Sequence, residues 1–130
     1  MRRPRDELAR EGGRVKTNLT PIIASLTRQR GVRGSLLVDE TDGVIIDATL
    51  HVGMKGPAFA ALAASLYRKA RLSAEAAGLG GVTFLRLRAT EGHVCAAGKH
   101  EMVLVIVADA RANIGLIRME MLKALERLVI

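Results

Sequence analysis

Aromatic residues are scarce in this 130-residue chain, which has two phenylalanines, one tyrosine and no tryptophan. Because so few rings cannot form a base-stacking platform, nucleic-acid binding is disfavoured. The single cysteine, Cys95, excludes an intrachain disulfide and predicts a reducing, cytoplasmic location. The longest apolar runs, 58–64 and 102–108, have seven residues each, too few to span a membrane.

Positive charge is concentrated at the start of the chain. The net charge is +7, and residues 1–33 hold nine basic against three acidic side chains, whereas residues 34–130 hold eleven against ten. We therefore predict a basic, flexible leader at 1–17 and one globular domain at 18–130. Such an arm can contact nucleic acid or an acidic membrane, although a solvated terminus is the commoner outcome.

The periodicity of apolar residues predicts an α+β domain. Helical spacing is found at about 19–30, 57–78 and from 114 onward, and strand-like alternation or short apolar runs are found at 32–38, 44–50, 82–89, 93–97 and 102–108. The apolar segment 102–108 is predicted to be buried on both faces and so central in its sheet. The order α-β-β-α-β-β-β-α implies a five-stranded, mainly antiparallel sheet covered by helices.

The long helix at 57–78 has too many small apolar residues for an ordinary surface helix. Nine of the residues 58–77 are alanine. Alanine has high helix propensity, which could by itself explain the composition. However, the apolar stripe containing Phe59, Leu62 and Leu66 is accompanied by further apolar residues, Ala61, Ala64 and Leu72, on another side. We therefore favour a helix with two buried faces, one of them covered by a partner subunit.

No group of residues forms a convincing catalytic, metal or cofactor site. The glycines at 78–81 follow a helix and precede a strand, the reverse of a phosphate-binding loop. The spacing His93-x-Cys95-x4-His100 lacks the second cluster that a zinc site needs, and a cysteine within an apolar strand is a poor nucleophile. We interpret these three residues as a core cysteine flanked by two partly exposed histidines, and Asp39, Asp42 and Asp47 as residues of a turn. The sequence predicts a protein that is not an enzyme and has no cofactor.

Four segments in this order resemble the Roadblock/LAMTOR (Roadblock/dynein light chain) domain family. They are GVRGSLLVDETDGVIIDA at 31–48, GPAFAALAASLYRKA at 56–70, GLGGV at 78–82 and MVLVIVADARANIGLIRMEM at 102–121. The similarity covers about 19–130. It implies that the second helix lies on one face of the sheet, and the first and last helices lie on the other. It also implies a homodimer that pairs second helices and third strands, here 57–78 and 82–89.

The resemblance further implies a partner and the surfaces that contact it. Prokaryotic MglB-like members regulate Ras-like small GTPases without a catalytic centre of their own, and other members are scaffolds. Carried over by element, the candidate partner-binding residues are Lys55, Ala61, Ala64, Arg68, Arg71, Leu72 and Glu75. The candidate dimer-interface residues are Ala60, Ala63, Tyr67, Ala70, Ala74, Val82, Phe84 and Arg86.

The sequence is compatible with two different functions. The first is a non-catalytic homodimeric regulator, activating or scaffolding, of a Ras-like small GTPase. The alternative is a dimeric adaptor that tethers a non-GTPase partner such as a sensor or motor component. Binding of nucleic acid or an anionic membrane through the leader is a weaker third hypothesis.

Overall fold

The computed structural model describes residues 20–128, and the predicted leader at 1–17 lies outside this range. Helix α1 occupies residues 20–27 of the described part. The following elements are β1 (Val32–Asp39), β2 (Ile45–Leu50), α2 (Gly56–Ala76), β3 (Leu85–Ala89), β4 (Gly92–Lys99), β5 (Met102–Asp109) and α3 (Ile114–Glu126). This order agrees with the predicted α-β-β-α-β-β-β-α arrangement.

The five strands form one antiparallel sheet in the order β2-β1-β5-β4-β3. Strand β5 is central and pairs with β1 on one side and β4 on the other. Every position of Met102–Ala108 is buried, as the unbroken apolar run predicted. Strands β2 and β3 form the two edges, so β3 has a partner on one side only within the described residues.

The alternation of side chains in β5 separates two hydrophobic cores. Leu104 and Ile106 contribute to a core that also contains residues of α1 and α3. Val103 and Val105 point the other way, into a core that contains the inner residues of α2. The predicted placement of one long helix on one face and two helices on the other is confirmed.

The turn between β1 and β2 follows from the sequence Asp-Glu-Thr-Asp-Gly. The carboxylate of Asp39 accepts hydrogen bonds from the backbone N–H groups of Thr41 (2.8 Å) and Asp42 (3.3 Å). Gly43 has φ +73°, a backbone conformation that glycine adopts without a steric penalty. The predicted structural role of Asp39 and Asp42 agrees with this geometry, and the turn carries Glu40 towards α2.

The C-terminus of α2 is a Schellman motif. The N–H of Leu79 donates to the carbonyl of Ala74 (2.9 Å), and the N–H of Gly78 donates to that of Glu75 (3.1 Å). Gly78 supplies the positive φ (+76°) that this motif requires. The chain then leaves α2 through residues 77–84, so β3 begins at Leu85, three residues later than predicted.

Candidate interaction surface

Tyr67 fixes helix α2 to the sheet. Its hydroxyl donates to the carbonyl of Val82 (3.1 Å), and its ring lies directly over Gly98 of β4, which has no side chain to obstruct it. Only 5% of Tyr67 is exposed, and this burial raises the pKa of the phenol. The ring therefore determines which side of α2 faces inward.

The inner face of α2 consists of residues that we predicted to be on its surface. Ala60, Ala63, Ala64 and Tyr67 are all buried against the sheet of the same domain. The placement of Ala64 in the partner-binding set, and of Ala60, Ala63 and Tyr67 in the dimer interface, is therefore corrected. Alanine at three of the four positions allows close approach of helix and sheet, and such an inner face cannot be distinguished by composition from an equally alanine-rich outer face.

The side of α2 opposite Tyr67 is exposed and mostly apolar. Leu62 is 40% exposed, Leu66 is half-buried, and Lys69 is charged. We call the α2 outer face the set Ala58, Leu62, Leu66, Lys69, Ser73 and Ala76, which share this side at helical spacing. Of the predicted dimer-interface residues, Ala70 is half-buried at the border of this face, whereas Ala74, seven residues after Tyr67, is half-buried on the inner side of the helix. A face with one charge and two leucines has the composition of a surface that another protein covers.

One flank of α2 meets the β1–β2 and β4–β5 turns around a cleft of about 320 Å³, lined by Glu40, Thr41, Arg68, Arg71 and Glu101. The Arg71 Nε lies 2.8 Å from the Glu40 carboxylate, and its Nη1 lies 3.5 Å from Glu75. The hydrogen bond to Glu40 raises the pKa of the Arg71 guanidinium. Glu40 is only 8% exposed, whereas the Arg71 side chain is 34% exposed. This half-buried ion pair, which we call the Arg71–Glu40 lock, joins α2 to the β1–β2 turn.

Removing one partner of this lock is expected to destabilise the domain. Arg71→Ala leaves the Glu40 carboxylate buried without its charged donor, which costs about 2 kcal/mol of the free energy of unfolding. The neighbouring Arg68 is exposed and donates only to the Thr41 carbonyl (3.1 Å), so Arg68→Ala should cost less than about 0.5 kcal/mol. Urea unfolding of both variants measures the difference, and equal stabilities would contradict the lock.

The remaining predicted partner-binding residues are accessible. Lys55 lies at the N-cap of α2, and Ala61, Arg68, Leu72 and Glu75 are exposed along the flank beside the cleft. Leu72 is the exposed apolar residue among these charges, with 52% of its surface accessible. Five of the seven residues predicted for a partner surface are therefore accessible, but Lys55 and Glu75 lie at opposite ends of the 21-residue helix, and Arg71 is partly buried behind the flank.

Strand β3 divides its side chains between the two faces of the sheet. Leu85 and Leu87 pair with Ala96 and Val94 of β4 and lie on the α2 side, whereas Arg86 pairs with Cys95 and lies on the α3 side. Phe84 packs against the core beneath α1 and α3. Of the three residues predicted for the dimer interface in this segment, Phe84 and Arg86 therefore face away from α2. Val82 is half-buried, and its backbone carbonyl accepts the hydrogen bond from the Tyr67 hydroxyl.

Leu87 is the residue of β3 that sequence reasoning missed. It is 36% exposed on the α2 side because α2 packs mainly over β1, β2, β4 and β5. The alternation of β3 was evident in the sequence, but nothing in that pattern indicated which set faces α2. Leu87, on the edge strand β3, is thus exposed on the same face of the sheet as α2.

The structure gives no support for chemistry at the histidines and the cysteine. Within residues 20–128, no group of three His, Cys, Asp or Glu side chains is arranged to hold a metal ion. His93 is 3% exposed, so its predicted partial exposure was wrong; its Nε2 lies 3.3 Å from the Ala110 carbonyl. His100 is exposed in the β4–β5 turn, and Cys95 is buried.

Cys95 is expected to be inert in the folded protein. Burial raises the pKa of its thiol from 9.0 to about 11, with a smaller opposing effect of the Arg86 charge. At about pH 8 a thiol reagent such as Ellman's should react slowly with the native chain and rapidly with the chain unfolded in concentrated guanidinium. Rapid labelling of the native protein would contradict the expected inertness of Cys95.

The raised pKa of Cys95 also makes stability depend on pH. As the pH rises, the thiol of the unfolded chain ionises before that of the native chain, so the free energy of unfolding should fall between pH 9.0 and about 11.

A family model, Roadblock/LC7 domain, matches residues 21–108. The chain belongs to the Roadblock/LC7 family. This Roadblock/LC7 chain is 27% identical over 114 residues to the protein MJ0714 of Methanocaldococcus jannaschii, an alignment that covers 88% of this chain and 96% of that protein. No helix in the part of this domain that the structure describes is long and apolar enough to cross a membrane.

Solved structures share the Roadblock fold. Myxococcus xanthus MglB superimposes with a TM-score of 0.76 at 21% identity, covering 86% of this chain and 85% of MglB. A structure of MglB in a tetrameric arrangement superimposes with a TM-score of 0.75 at 19% identity, covering 91% of this chain and 87% of that MglB chain. At these identities the likeness shows that this Roadblock/LC7 chain and the MglB structures have a common fold.

Proposed function

We propose that this Roadblock/LC7 chain is a non-catalytic homodimer that regulates a Ras-like small GTPase. The observation that carries the proposal is the apolar α2 outer face, on the same face of the sheet as the exposed Leu87 of the edge strand β3. Exposed apolar surfaces of this kind serve association between proteins. The chain that carries this surface has the fold of MglB. Regulation is by binding, because a partner that contacts the switch segments of a GTPase shifts them towards a competent arrangement.

The first step of the proposal is self-association. In a two-fold dimer the same residues meet from both copies, so the α2 outer faces cover one another's Leu62 and Leu66. The β3 edges then pair, which joins the two sheets and removes two open edges from solvent. A tetrameric arrangement of MglB is consistent with a fold that forms contacts between its own copies.

The second step is the contact with the GTPase. The flank of α2 that carries Lys55, Ala61, Arg68, Leu72 and Glu75 stays outside the dimer contact, and its exposed leucine lies among charged residues. An apolar centre with a charged rim is the usual composition of a non-obligate interface. Because Arg71 is tied to Glu40, it contributes to the shape of this surface and is not an arginine for insertion into a nucleotide site.

The experiment uses the full chain and a small GTPase encoded in the same genome. Single-turnover GTP hydrolysis and binding by calorimetry are measured with wild type, with Leu72→Asp and with Val52→Asp. We expect wild type to bind and change the turnover rate, Leu72→Asp to weaken binding at least tenfold, and the loop variant Val52→Asp to behave as wild type. Binding without any change in turnover would favour the alternative, an adaptor. Absence of binding would overturn the proposal.

A further inference from the structure

We propose that the α3 side of β3 is a docking site for an acidic segment of a partner protein. The site, which we call the arginine patch, consists of Arg86, Arg88, Arg118, Phe84 and Leu122. It lies across the sheet from α2, so it is separate from the surface assigned above to a GTPase. Neither the dimer nor GTPase regulation is needed for it.

Register places the two arginines of β3 beside α3. Arg86 lies opposite Cys95 and Arg88 opposite His93 in the β3–β4 ladder, and residues that are directly opposite share a face of the sheet. Cys95 belongs to the core beneath α1 and α3, so both guanidinium groups project on that side. Both arginines are exposed.

The third arginine reaches the same place from helix α3. The guanidinium carbon of Arg118 lies 5.6 Å from the centroid of the Phe84 ring, which immediately precedes β3. A cation over an aromatic face is held in position by the ring quadrupole. Arg118 therefore stands beside the start of the strand that carries Arg86 and Arg88.

These charges are not neutralised by the domain itself. Within residues 20–128, the ion pairs join Arg71 to Glu40 and Glu75, and Lys123 to Glu120; none involves the three arginines of the patch. Unpaired arginines are suited to carboxylates, because the planar guanidinium forms two parallel hydrogen bonds to one carboxylate. The patch thus lacks an anionic counterpart, which a partner can supply.

Apolar groups among the charges favour a protein segment as the occupant. Phe84 is half-buried beneath the Arg118 guanidinium, and Leu122, four residues after Arg118 on the same side of α3, is half-buried against the same core. Arginine and aromatic residues are enriched at protein interfaces. An acidic membrane would engage the arginines but leave the recessed Phe84 ring unused, because insertion into lipid requires protruding apolar groups. The expected ligand is a segment with carboxylates beside an apolar anchor.

The test is fluorescence anisotropy with a labelled peptide of alternating glutamate and phenylalanine, and with a matched peptide that has glutamine for glutamate. The protein variants are Arg86→Ser/Arg88→Ser and a control with the same loss of charge, Arg30→Ser/Arg33→Ser, whose side chains are exposed elsewhere. We expect the acidic peptide to bind wild type and the control alike, and to bind the patch variant at least tenfold more weakly, with salt reducing the difference.

Three outcomes would overturn the proposal. The first is that the control variant weakens peptide binding as much as the patch variant does. The second is that the glutamine peptide binds as tightly as the acidic peptide. The third is that the protein binds only to phosphatidylserine vesicles in a sedimentation assay and not to the acidic peptide. Thermal melts of each variant establish that it is folded. Arg118→Ser should also weaken peptide binding but leave GTP turnover at the wild-type rate, because Arg118 lies on α3, outside the surfaces proposed for the dimer and the GTPase. Failure of this site and failure of the proposed GTPase regulation are therefore distinguishable.

Discussion

Leu62→Glu on the α2 outer face is expected to convert the proposed homodimer into monomers. Leu62 is already 40% exposed in the single domain, so a glutamate at this position is solvated in the monomer and costs that state little. In the dimer the same carboxylate would be buried against its copy, without a partner of opposite charge. We expect the dissociation constant of the dimer to rise at least about a hundredfold. Sedimentation velocity across a range of protein concentrations measures it.

The matched control is Leu116→Glu on α3. Leu116 is also a helix leucine, 44% exposed, but it lies on the opposite side of the sheet. This variant should keep the mass of the wild-type protein. A wild-type chain that is monomeric at micromolar concentration, or a control that dissociates equally, would count against the α2 outer face as the dimer contact.

Gly92→Ala is expected to cause the largest loss of stability from the addition of a single methyl group. A Cβ at Gly92 would lie 2.5 Å from the carbonyl oxygen of Ala108, which belongs to the central strand β5. Because the obstacle is backbone and not a flexible side chain, β4 or β5 would have to shift. We expect a loss of about 3 kcal/mol in the free energy of unfolding, at the upper end of overpacking effects. Urea unfolding measures it.

Gly81→Ala is the control for this prediction. No atom lies within 4 Å of the position of its Cβ, and its backbone does not have the positive φ of Gly78 or Gly80. The substitution should change stability by less than about 0.5 kcal/mol, in either direction. If the two variants were equally stable, close contact at the β4–β5 ladder would not be the reason for glycine at position 92.

Particular elements show why the fold was predictable. The apolar run at 102–108 required burial on both sides, and its central position in the sheet follows from that requirement alone. The Asp/Gly turn at 39–43 forms through its own side chain–backbone hydrogen bonds, so no distant residue is needed to specify it. The start of β3 was misplaced because Val82 is held by the Tyr67 hydroxyl, a contact between residues 15 positions apart in the chain.

For the candidate surfaces, the sequence predicted which helix and strand carry them but not which of their residues face outward. Sequence reasoning identified α2 and the third strand, yet it assigned Ala60, Ala63 and Tyr67 to the surface and overlooked Leu87. The reason is that alanine occurs on every side of α2, and a helix of uniform composition does not indicate its orientation. The same difficulty applied to β3. Its alternation assigns the residues correctly to the two faces of the sheet, but it does not indicate which of the two faces is covered by α2.

The amino-acid order alone determined the number and sequence of helices and strands, the central position of β5, and the absence of a recognisable catalytic motif. Those features depend on the periodicity of apolar residues and on local turn chemistry, which act over a few residues. Tertiary structure decided which face of α2 is covered, that Arg71 is held by Glu40, and that Arg86, Arg88 and Arg118 meet beside Phe84. These contacts join residues far apart in the chain, and only the packing of the helices onto the sheet brings them together.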